Sequence, residues 1–166
     1  MTISLRDARN SQADRSWIAK VFRDYIDDLD PLSTGIFPVL GEVGHREPDQ
    51  VARWFDDPNA FPLVIAQSRL PVGFAMVARV AGGGAEFRMG EFFIDRGHRG
   101  LGLGQGAVQL ILDRFAGHWE ITEYQRNPAA VKFWHRVVAA YTGGRFQERT
   151  VNGEVRQTFE SGPRRR

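Results

Sequence analysis

The 166-residue sequence predicts a single α+β domain, because two kinds of pattern follow one another along the chain. The middle third holds three strand-like apolar runs separated by turn formers, which is typical of an antiparallel meander. The last 70 residues alternate between helical and strand-like segments. Neither an internal repeat nor a linker interrupts the pattern. We therefore expect one domain over residues 1–161, followed by a basic tail over 162–166.

The first elements are a strand and an amphipathic helix. Ile3–Arg6 alternates as a strand does. Asn10 or Ser11 is placed to cap the helix, and Asp14 to complete a capping box. The apolar stripe that follows has helical spacing: Trp17, Ile18, Val21, Phe22, Tyr25, Ile26 and Leu29.

A loop over residues 30–47 leads to a short predicted helix at Pro48–Asp57. Pro48 suits a first helical position, where its missing N–H has no helical partner to lose. The three meander strands are then predicted at Phe61–Gln67, Val72–Ala81 and Glu86–Asp95.

The C-terminal segments begin with a helix that Gly117 is placed to terminate at its C′ position. His118–Tyr124 is the next strand. Asn127 and Pro128 form an N-cap and first-turn pair for another helix. Asn152–Gly153, between two strand-like runs, predicts a tight hairpin. The two helices show their apolar positions at Val108, Ile111, Leu112 and Phe115, and at Ala130, Phe133, Trp134 and Val137.

The charge balance argues against a nucleic-acid partner. The chain has 22 basic and 20 acidic residues, and three of the basic ones are Arg164, Arg165 and Arg166. Without them the balance is −1, so the rest of the chain offers no basic surplus for a phosphate backbone.

Cysteine is absent, which excludes disulfides, thiolate metal sites and a cysteine nucleophile. The histidines show no metal-binding spacing, so we expect no metal. They are His45, His98, His118 and His135. No apolar run has the length of a membrane span, and we expect a cytoplasmic protein without a membrane partner.

The most informative segment is the glycine-rich stretch from His98 to Gly106, which lies between a predicted strand and a predicted helix. Glycines allow the backbone to approach a ligand closely and to adopt conformations that a Cβ would hinder. The N-terminus of the following helix presents unpaired N–H groups and a partial positive charge. This combination predicts a site for a diphosphate-bearing ligand.

Three interpretations of this loop compete. A Walker A loop is excluded, because Gln105 or Gly106 stands where lysine is required. A dinucleotide fingerprint matches at Gly102, Gly104 and Ala107, with Glu123 about twenty residues further on as a ribose-binding acid. The loop nevertheless lies late in the chain, with too little sequence after it for a second nucleotide-binding half. A turn without a ligand would not need four glycines in seven residues.

The same segment resembles the GNAT family of acyltransferases. Arg99, Gly102 and Gly104 match that family's Arg/Gln-x-x-Gly-x-Gly/Ala signature. Asn127, Ala130 and Phe133 resemble its Asn-x-x-Ala-x-x-Phe-Tyr segment, and the strand start Pro71–Phe74 is also similar. The resemblance covers nearly the whole chain. It implies a mixed, mostly antiparallel sheet of six or seven strands, flanked by about four helices and splayed between the fourth and fifth strands.

The resemblance also implies acetyl-CoA, or another short acyl-CoA, as co-substrate. Backbone amides of the loop would hold its diphosphate, and the pantetheine arm would run between the fourth and fifth strands. Asn127 would contact that arm, or only cap its helix. The implied cofactor-binding residues are Phe93, Ile94, Arg99, Gly100, Leu101, Gly102, Leu103, Gly104, Asn127, Phe133 and Trp134.

Acyl transfer to an amine requires a base, and Glu91 is the candidate. By strict alternation it shares a face with Phe87, Met89 and Phe93, so it interrupts an apolar row. A bulge at Gly90-Glu91 is expected, because the residues after it are apolar on both faces. Apolar surroundings raise the pKa of a carboxyl toward that of a useful base. The alternative is a Glu on a solvated face or in an ion pair.

The family commonly has a Tyr that protonates the leaving thiolate, and this chain has Trp134 at that position. An indole N–H donates a hydrogen bond but is no acid. Tyr124, at the end of the neighbouring strand, is the candidate substitute, and packing alone is the alternative role for both residues. Two function classes follow: an active N-acetyltransferase, or an acyl-CoA-binding module that has lost catalysis.

The acceptor implied by the resemblance is a primary amine of a small molecule or a peptide. Asp27, Asp28 and Asp30, at the end of the first long helix, would attract its cation, or they form only a solvated helix end. The terminal hairpin Arg145–Glu160 offers strand edges for pairing in a homodimer.

Overall fold

The structure, a computed structural model, describes residues 2–29 and 50–162, with the backbone alone for residues 23–29 and 50. The strands within these ranges are β1 (Ile3–Asp7), β2 (Ala60–Gln67), β3 (Leu70–Arg79), β4 (Phe87–Ile94), β5 (Gly117–Tyr124), β6 (Phe146–Val151) and β7 (Glu154–Ser161). The α-helices are α1 (Gln12–Leu29), α2 (Gln50–Asp56), α3 (Leu103–Arg114) and α4 (Pro128–Thr142), and short 3₁₀ turns occupy Ala8–Asn10 and Arg96–His98.

The seven strands form one sheet in the order β1-β2-β3-β4-β5-β7-β6. Neighbouring strands are antiparallel, except that β4 and β5 are parallel. The predicted fold class is therefore confirmed, including the meander, the alternating C-terminal segments and the parallel fourth and fifth strands. The connection between β4 and β5 runs through α3, as a parallel pair requires a crossover.

The two faces of the sheet carry separate apolar cores. One core packs α3 and α4 onto the sheet and includes Met89, Phe92 and Trp119. The other lies on the side of α1 and α2 and is rich in aromatic rings, among them Trp54 and Phe93. This division matters for the site, because each side chain of β4 and β5 points to the side of one core or of the other.

The start of α1 confirms half of the predicted capping box. The Ser11 hydroxyl accepts a hydrogen bond from the Asp14 N–H at 3.2 Å. The Asp14 carboxylate does not reach back to the cap, because both of its oxygens bind the Arg6 guanidinium on β1, at 2.8 and 2.9 Å. A charge-assisted bidentate pair is stronger than a single bond to a backbone amide, so the salt bridge wins.

Other local predictions divide in the same way. Asn127 caps α4 with Pro128 in its first turn, and Asn152–Gly153 forms the β6–β7 turn with φ of 53° and 79°. Gly117 does not terminate α3, which is capped by Phe115, and instead begins β5. Strand β3 begins at Leu70 because the turn falls at Ser68–Arg69, both with positive φ.

Several predictions fall on residues 30–49 and 163–166 and lie outside the described residues, namely Pro48, Asp30, the loop over 30–47 and the end of the basic tail. Within the described ranges, none of the helices combines the length and the apolar character that crossing a membrane would need.

Candidate functional site

Strands β4 and β5 part soon after they begin. Their register contains only the pairs Phe87–Trp119 and Arg88–Glu120. We call the point where the two strands part the vertex. On the side away from α3 and α4, Glu120 forms ion pairs on either side of the vertex, 3.8 Å from Arg88 on β4 and 2.9 Å from Arg156 on β7. Beyond the vertex the sheet is open, and we call this opening the gap.

A bulge on β4 lies just past the vertex. Glu91 pairs with Met76 and Met89 with Val77, so Gly90 is the extra residue and the predicted bulge is confirmed. The bulge reverses the alternation of side chains. Phe87 and Met89 belong to the α3/α4 core, whereas Phe93 belongs to the opposite core.

Glu91 therefore does not share a face with Phe87 and Met89, and that part of the prediction is wrong. At the bulge two residues of β4 lie opposite one residue of β3. Side chains after the bulge therefore point to the face opposite to the one that strict alternation predicts. Glu91 lies with Phe93 and its partner Met76 on the α1/α2 side, fully buried.

The register also decides which main-chain groups of β4 face the gap. The Asp95 N–H bonds to the Val72 carbonyl at 2.8 Å, and in an antiparallel ladder every second residue bonds to the same neighbour. Phe93 therefore bonds to β3, and Phe92 and Ile94 present their main-chain groups to the open side. Of the two residues predicted to pair with a ligand there, Ile94 has the required orientation.

The main-chain groups of β5 also alternate between its paired side and the gap. The Gln125 N–H bonds to the Gly153 carbonyl at 2.9 Å, so the odd-numbered residues of β5 pair with β7. Thr122 and Tyr124 consequently present their main-chain groups to the gap. The two strands that border the gap therefore turn main-chain groups of four residues toward it, namely Phe92, Ile94, Thr122 and Tyr124, and among these the Tyr124 carbonyl accepts the Asn127 N–H at 3.0 Å.

The glycine loop leads directly from β4 into α3. Gly100 and Gly102 have φ of 78° and 77°, a region that favours glycine. Gly102 is the N-cap of α3, and the first helical bond runs from the Gly106 N–H to the Gly102 carbonyl at 3.3 Å. The N–H groups of Leu103, Gly104 and Gln105 therefore have no acceptor within the helix, which is the arrangement that suits an anion.

Arg99 secures the end of β4 behind this loop. Its Nε donates to the Ile94 carbonyl at 2.8 Å, and its guanidinium lies 5.5 Å from the centre of the Phe93 ring. Because the Ile94 carbonyl is occupied by Arg99, the Ile94 N–H is the group left to a ligand in the gap.

Helix α4 covers the gap from one side. Phe133 lies against Gly104 of α3, and Trp134 packs on both Phe92 and Phe133 with ring centres 5.3 and 5.0 Å away. Trp134 is fully buried. The structure thus brings the loop, Ile94, Phe133 and Trp134 together around the end of β4.

Asn127 and Tyr124 lie on the other wall, at the end of β5. Asn127 is buried, and its side-chain oxygen accepts the Ala130 N–H at 3.2 Å. Tyr124 is half-buried, with the Arg126 guanidinium 4.7 Å from its ring centre. A depression of about 470 Å³ adjoins Tyr124 and is lined also by Gln125, Arg126, Asn152 and Gly153.

Another open depression, of about 990 Å³, lies at the opposite end of β5, where His118 and Glu120 are among its lining residues. It contains none of the predicted site residues. At the gap itself, the buried side chains of Phe92 and Trp134 close the α4 side. The volumes of the surface depressions therefore do not indicate the position of the candidate site. The main-chain geometry of the gap does.

Sequence reasoning missed a polar cluster beside the gap, which runs from the buried Glu123 and Gln157 to the exposed Glu148 and His135. The Gln157 Nε2 donates to Glu123 Oε1 and, at 2.9 Å, to Glu148 Oε2, which lies 3.0 Å from His135 Nδ1. Burial raises the pKa of Glu123 to about 9; its hydrogen bond from Gln157 opposes this shift and the charge of Glu148 adds to it. The signal was present in the sequence, since Glu123 continues the alternating row of Trp119 and Ile121.

The described residues include no group of three or more potential ligands that could hold a metal ion. The side chains of Asp27 and Asp28 lie outside the described residues, as does Asp30, so the predicted acceptor contacts stay predictions.

Comparison with known proteins identifies this arrangement. The model of the Acetyltransferase (GNAT) family matches residues 19–138. The chain belongs to the GNAT family. No curated protein matches its sequence.

Solved structures of GNAT proteins share the fold over nearly the whole chain. An acetyltransferase from Thermus thermophilus is 17% identical, with 96% of this chain and 97% of that chain covered and a TM-score of 0.66. The yncA protein of Salmonella typhimurium, solved with its cofactor acetyl-CoA, is 13% identical, with coverage of 100% and 98% and a TM-score of 0.63. Spermidine N-acetyltransferase from Vibrio cholerae, in complex with CoA and spermine, is 14% identical, with coverage of 96% and 95% and a TM-score of 0.65. The TM-scores show that the fold is shared, and identities this low leave the acceptor open.

Proposed function

We propose that this GNAT protein is a cytoplasmic N-acetyltransferase of one domain, residues 1–161. It would transfer the acetyl group of acetyl-CoA, or another short acyl group, to a primary amine of a small molecule or peptide. The observation that carries the proposal is the parting of β4 and β5 after two register pairs, together with the N–H groups at the start of α3 that have no acceptor within the helix. The acetyl-CoA and CoA complexes of proteins with this fold support it.

In this proposal the loop holds the diphosphate through backbone N–H groups of residues 100–104. The glycines keep that surface free of side chains, and the helix N-terminus favours the negative charge. Arg99 acts through its hold on Ile94, in addition to its positive charge beside the loop. Phe133, Trp134 and Asn127 would line the α4 side of the gap.

The pantetheine arm would lie in the gap and pair with main-chain groups of its walls. The Ile94 N–H is one donor, and Thr122 offers main-chain groups from β5. A main-chain N–H of β4 beside the thioester would stabilise the oxyanion that forms during attack. Phe93 contributes through its ring, because its main chain pairs with β3.

Glu91 is the proposed base. The amine nitrogen attacks the thioester carbonyl, the C–S bond breaks, and Glu91 receives the proton that the nitrogen loses. The carboxyl lies at the bulge where β4 and β5 part, and it is fully buried. Tyr124, on the opposite wall, is the second proposed catalytic residue.

The experiment that tests the proposal measures binding and turnover separately. Calorimetry with acetyl-CoA, and with NAD as the control ligand, tests the cofactor. Release of CoA in the presence of a panel of amines, polyamines included, tests transfer; the absence of cysteine means that a thiol reagent detects CoA without protein background. Failure to bind any CoA ester would refute the proposal.

A second function is an acyl-CoA-binding module without catalysis. The observation in its favour is Trp134, a buried indole at the position of the family's Tyr. Tight binding of acetyl-CoA with no transfer to any amine in the panel would favour this alternative.

A further inference from the structure

Glu123 lies on the wall of the gap, on the α4 side. Arg88 on β4 pairs with Glu120 on β5. If the register is continued along both strands and the bulge residue Gly90 is skipped, Glu123 lies across the gap from Phe92. Both strands turn the same face to α4 here, because Phe92 belongs to the α3/α4 core and Glu123 continues the row of Ile121. Trp134 packs on Phe92 from α4. Glu123 and Trp134, which occupies the position of the family's Tyr, therefore lie near the same point of the gap.

The Glu123 carboxyl is held by one oxygen only. Oε1 accepts from the Gln157 amide on β7, the strand on the far side of β5 from the gap. Oε2 is buried and has no hydrogen-bond partner among the described residues, and the same is true of Gln157 Oε1. A buried carboxyl oxygen without a partner is costly and calls for an explanation. Since Gln157 engages Oε1, Oε2 is the oxygen that has capacity for a further partner.

Neither Trp134 nor Tyr124 places an acidic proton on the α4 side of the gap. The Trp134 indole has no acidic proton to give. Tyr124 follows Glu123 on β5, so its side chain points to the opposite face, where Arg126 lies over its ring.

We propose that Glu123 donates a proton to the thiolate of CoA as it leaves, from its position across the gap from Phe92. The inference rests on the proposed acetyl transfer. When the C–S bond breaks, its electron pair stays on sulfur. The proton passes from the Glu123 carboxyl to sulfur, giving CoA with a free thiol and a Glu123 carboxylate. That carboxylate regains a proton from water after CoA departs.

The surroundings keep the proton on Glu123 until it is needed. Burial raises the pKa of Glu123 to about 9, with the hydrogen bond from Gln157 opposing this shift and the charge of the nearby Glu148 carboxylate adding to it. From α4, His135 is bound to Glu148, and Arg136 lies 6.0 Å from the ring centre of Phe133. From β4 the residue opposite is the apolar Phe92. At neutral pH Glu123 therefore carries the proton that a general acid needs.

The test compares wild type with Glu123→Gln, which keeps the size and the hydrogen bond to Gln157 but has no acidic proton. We expect kcat to fall about a hundredfold, the lower range for loss of a general acid, and the Kd of acetyl-CoA to stay the same. The wild-type kcat should decline as alkaline pH ionises Glu123, and the variant should lack this decline.

Two further variants make the result specific. Glu123→Asp keeps an acid but withdraws it by one methylene, so kcat should fall while the alkaline decline remains. Glu148→Gln removes a charge that raises the pKa of Glu123. The kcat of this variant should therefore begin to decline at a lower pH than that of the wild type, while its kcat at neutral pH is retained.

The outcomes separate this inference from the proposed function. A Glu123→Gln protein with wild-type kcat and pH profile overturns the role of Glu123 and leaves the acetyltransferase intact. A wild-type protein that binds acetyl-CoA but acetylates no amine overturns both, and one that binds no CoA ester overturns the proposed function at its first step.

Discussion

The ring of Phe133 lies directly against Gly104: a Cβ added at Gly104 would stand 3.3 Å from the Cζ atom of that ring. This contact joins the first turn of α3 to α4 and leaves little space for a side chain at Gly104. Phe133 is itself buried and packs near Phe92, so it has little room to withdraw.

Gly104→Val should destabilise the protein by about 1–3 kcal/mol, because the added methyl groups must displace the Phe133 ring. Displacement of α3 would also weaken binding of acetyl-CoA. Urea unfolding and calorimetry measure the two effects. Gly97→Val is the matched control, since nothing lies within 4 Å of a Cβ there. Equal behaviour of the two variants would contradict the packing argument.

Gly102→Ala tests the backbone of the loop without a steric clash. The added Cβ meets nothing within 4 Å, but φ is 77°, a conformation that costs a non-glycine residue about 1–2 kcal/mol. We expect a matching loss of stability, or a relaxed loop that binds acetyl-CoA about tenfold more weakly. Gly97→Ala again provides the control. Unchanged stability together with unchanged affinity would show that the conformation of Gly102 is not required.

Glu91→Gln should lower kcat/KM for the amine by about a hundredfold or more, because the amide cannot accept the proton. The Kd of acetyl-CoA should change little. Steady-state kinetics and calorimetry are the measurements. Glu160→Gln, whose side chain is 77% exposed on β7, is the control and should behave as wild type. Full activity of Glu91→Gln would remove Glu91 from the mechanism.

Asn127 has two proposed roles that substitution can separate. Asn127→Ala removes the cap on the Ala130 N–H and should cost about 1 kcal/mol of stability. Asn127→Ser restores a capping oxygen and should recover most of that loss. If Asn127 also contacts pantetheine, both variants bind acetyl-CoA more weakly than wild type. Recovery of affinity with serine would assign Asn127 to capping alone.

The stability of the protein should depend on pH through Glu123. Its pKa is raised from 4.5 to about 9 in the folded protein, so the folded state holds a proton that the unfolded state releases. Stability from this group is full below pH 4.5 and is lost progressively as pH rises toward 9. Glu123→Gln should therefore raise Tm relative to wild type at pH 8 and not at pH 4.5. A pH-independent difference in Tm would contradict the burial of a protonated carboxyl.

The sequence allowed prediction of most elements, and it failed where tertiary contacts decide. The cap at Asn127 and the hairpin turn at Asn152–Gly153 depend on neighbouring residues, and both predictions are confirmed. Asp14 prefers Arg6, a partner that the short-range pattern of a capping box cannot reveal.

The site shows the same limit. The bulge at Gly90 was predicted from composition, yet the face assigned to Glu91 was wrong because strict alternation was applied across it. Glu123 was missed as a candidate acid because its partner Gln157 lies 34 residues away and reaches it only through the order β5-β7-β6.

The narrow connection between β4 and β5 has a mechanical consequence. Strands β1–β4 and strands β5–β7 are two half-sheets that share two register pairs and the ion pairs of Glu120. A ligand that bridges the gap would replace the missing ladder and couple the halves. The amide hydrogens of Phe92, Ile94 and Thr122 should therefore exchange rapidly with solvent in the free protein. Once acetyl-CoA is bound they should exchange slowly, because the two half-sheets then open only together.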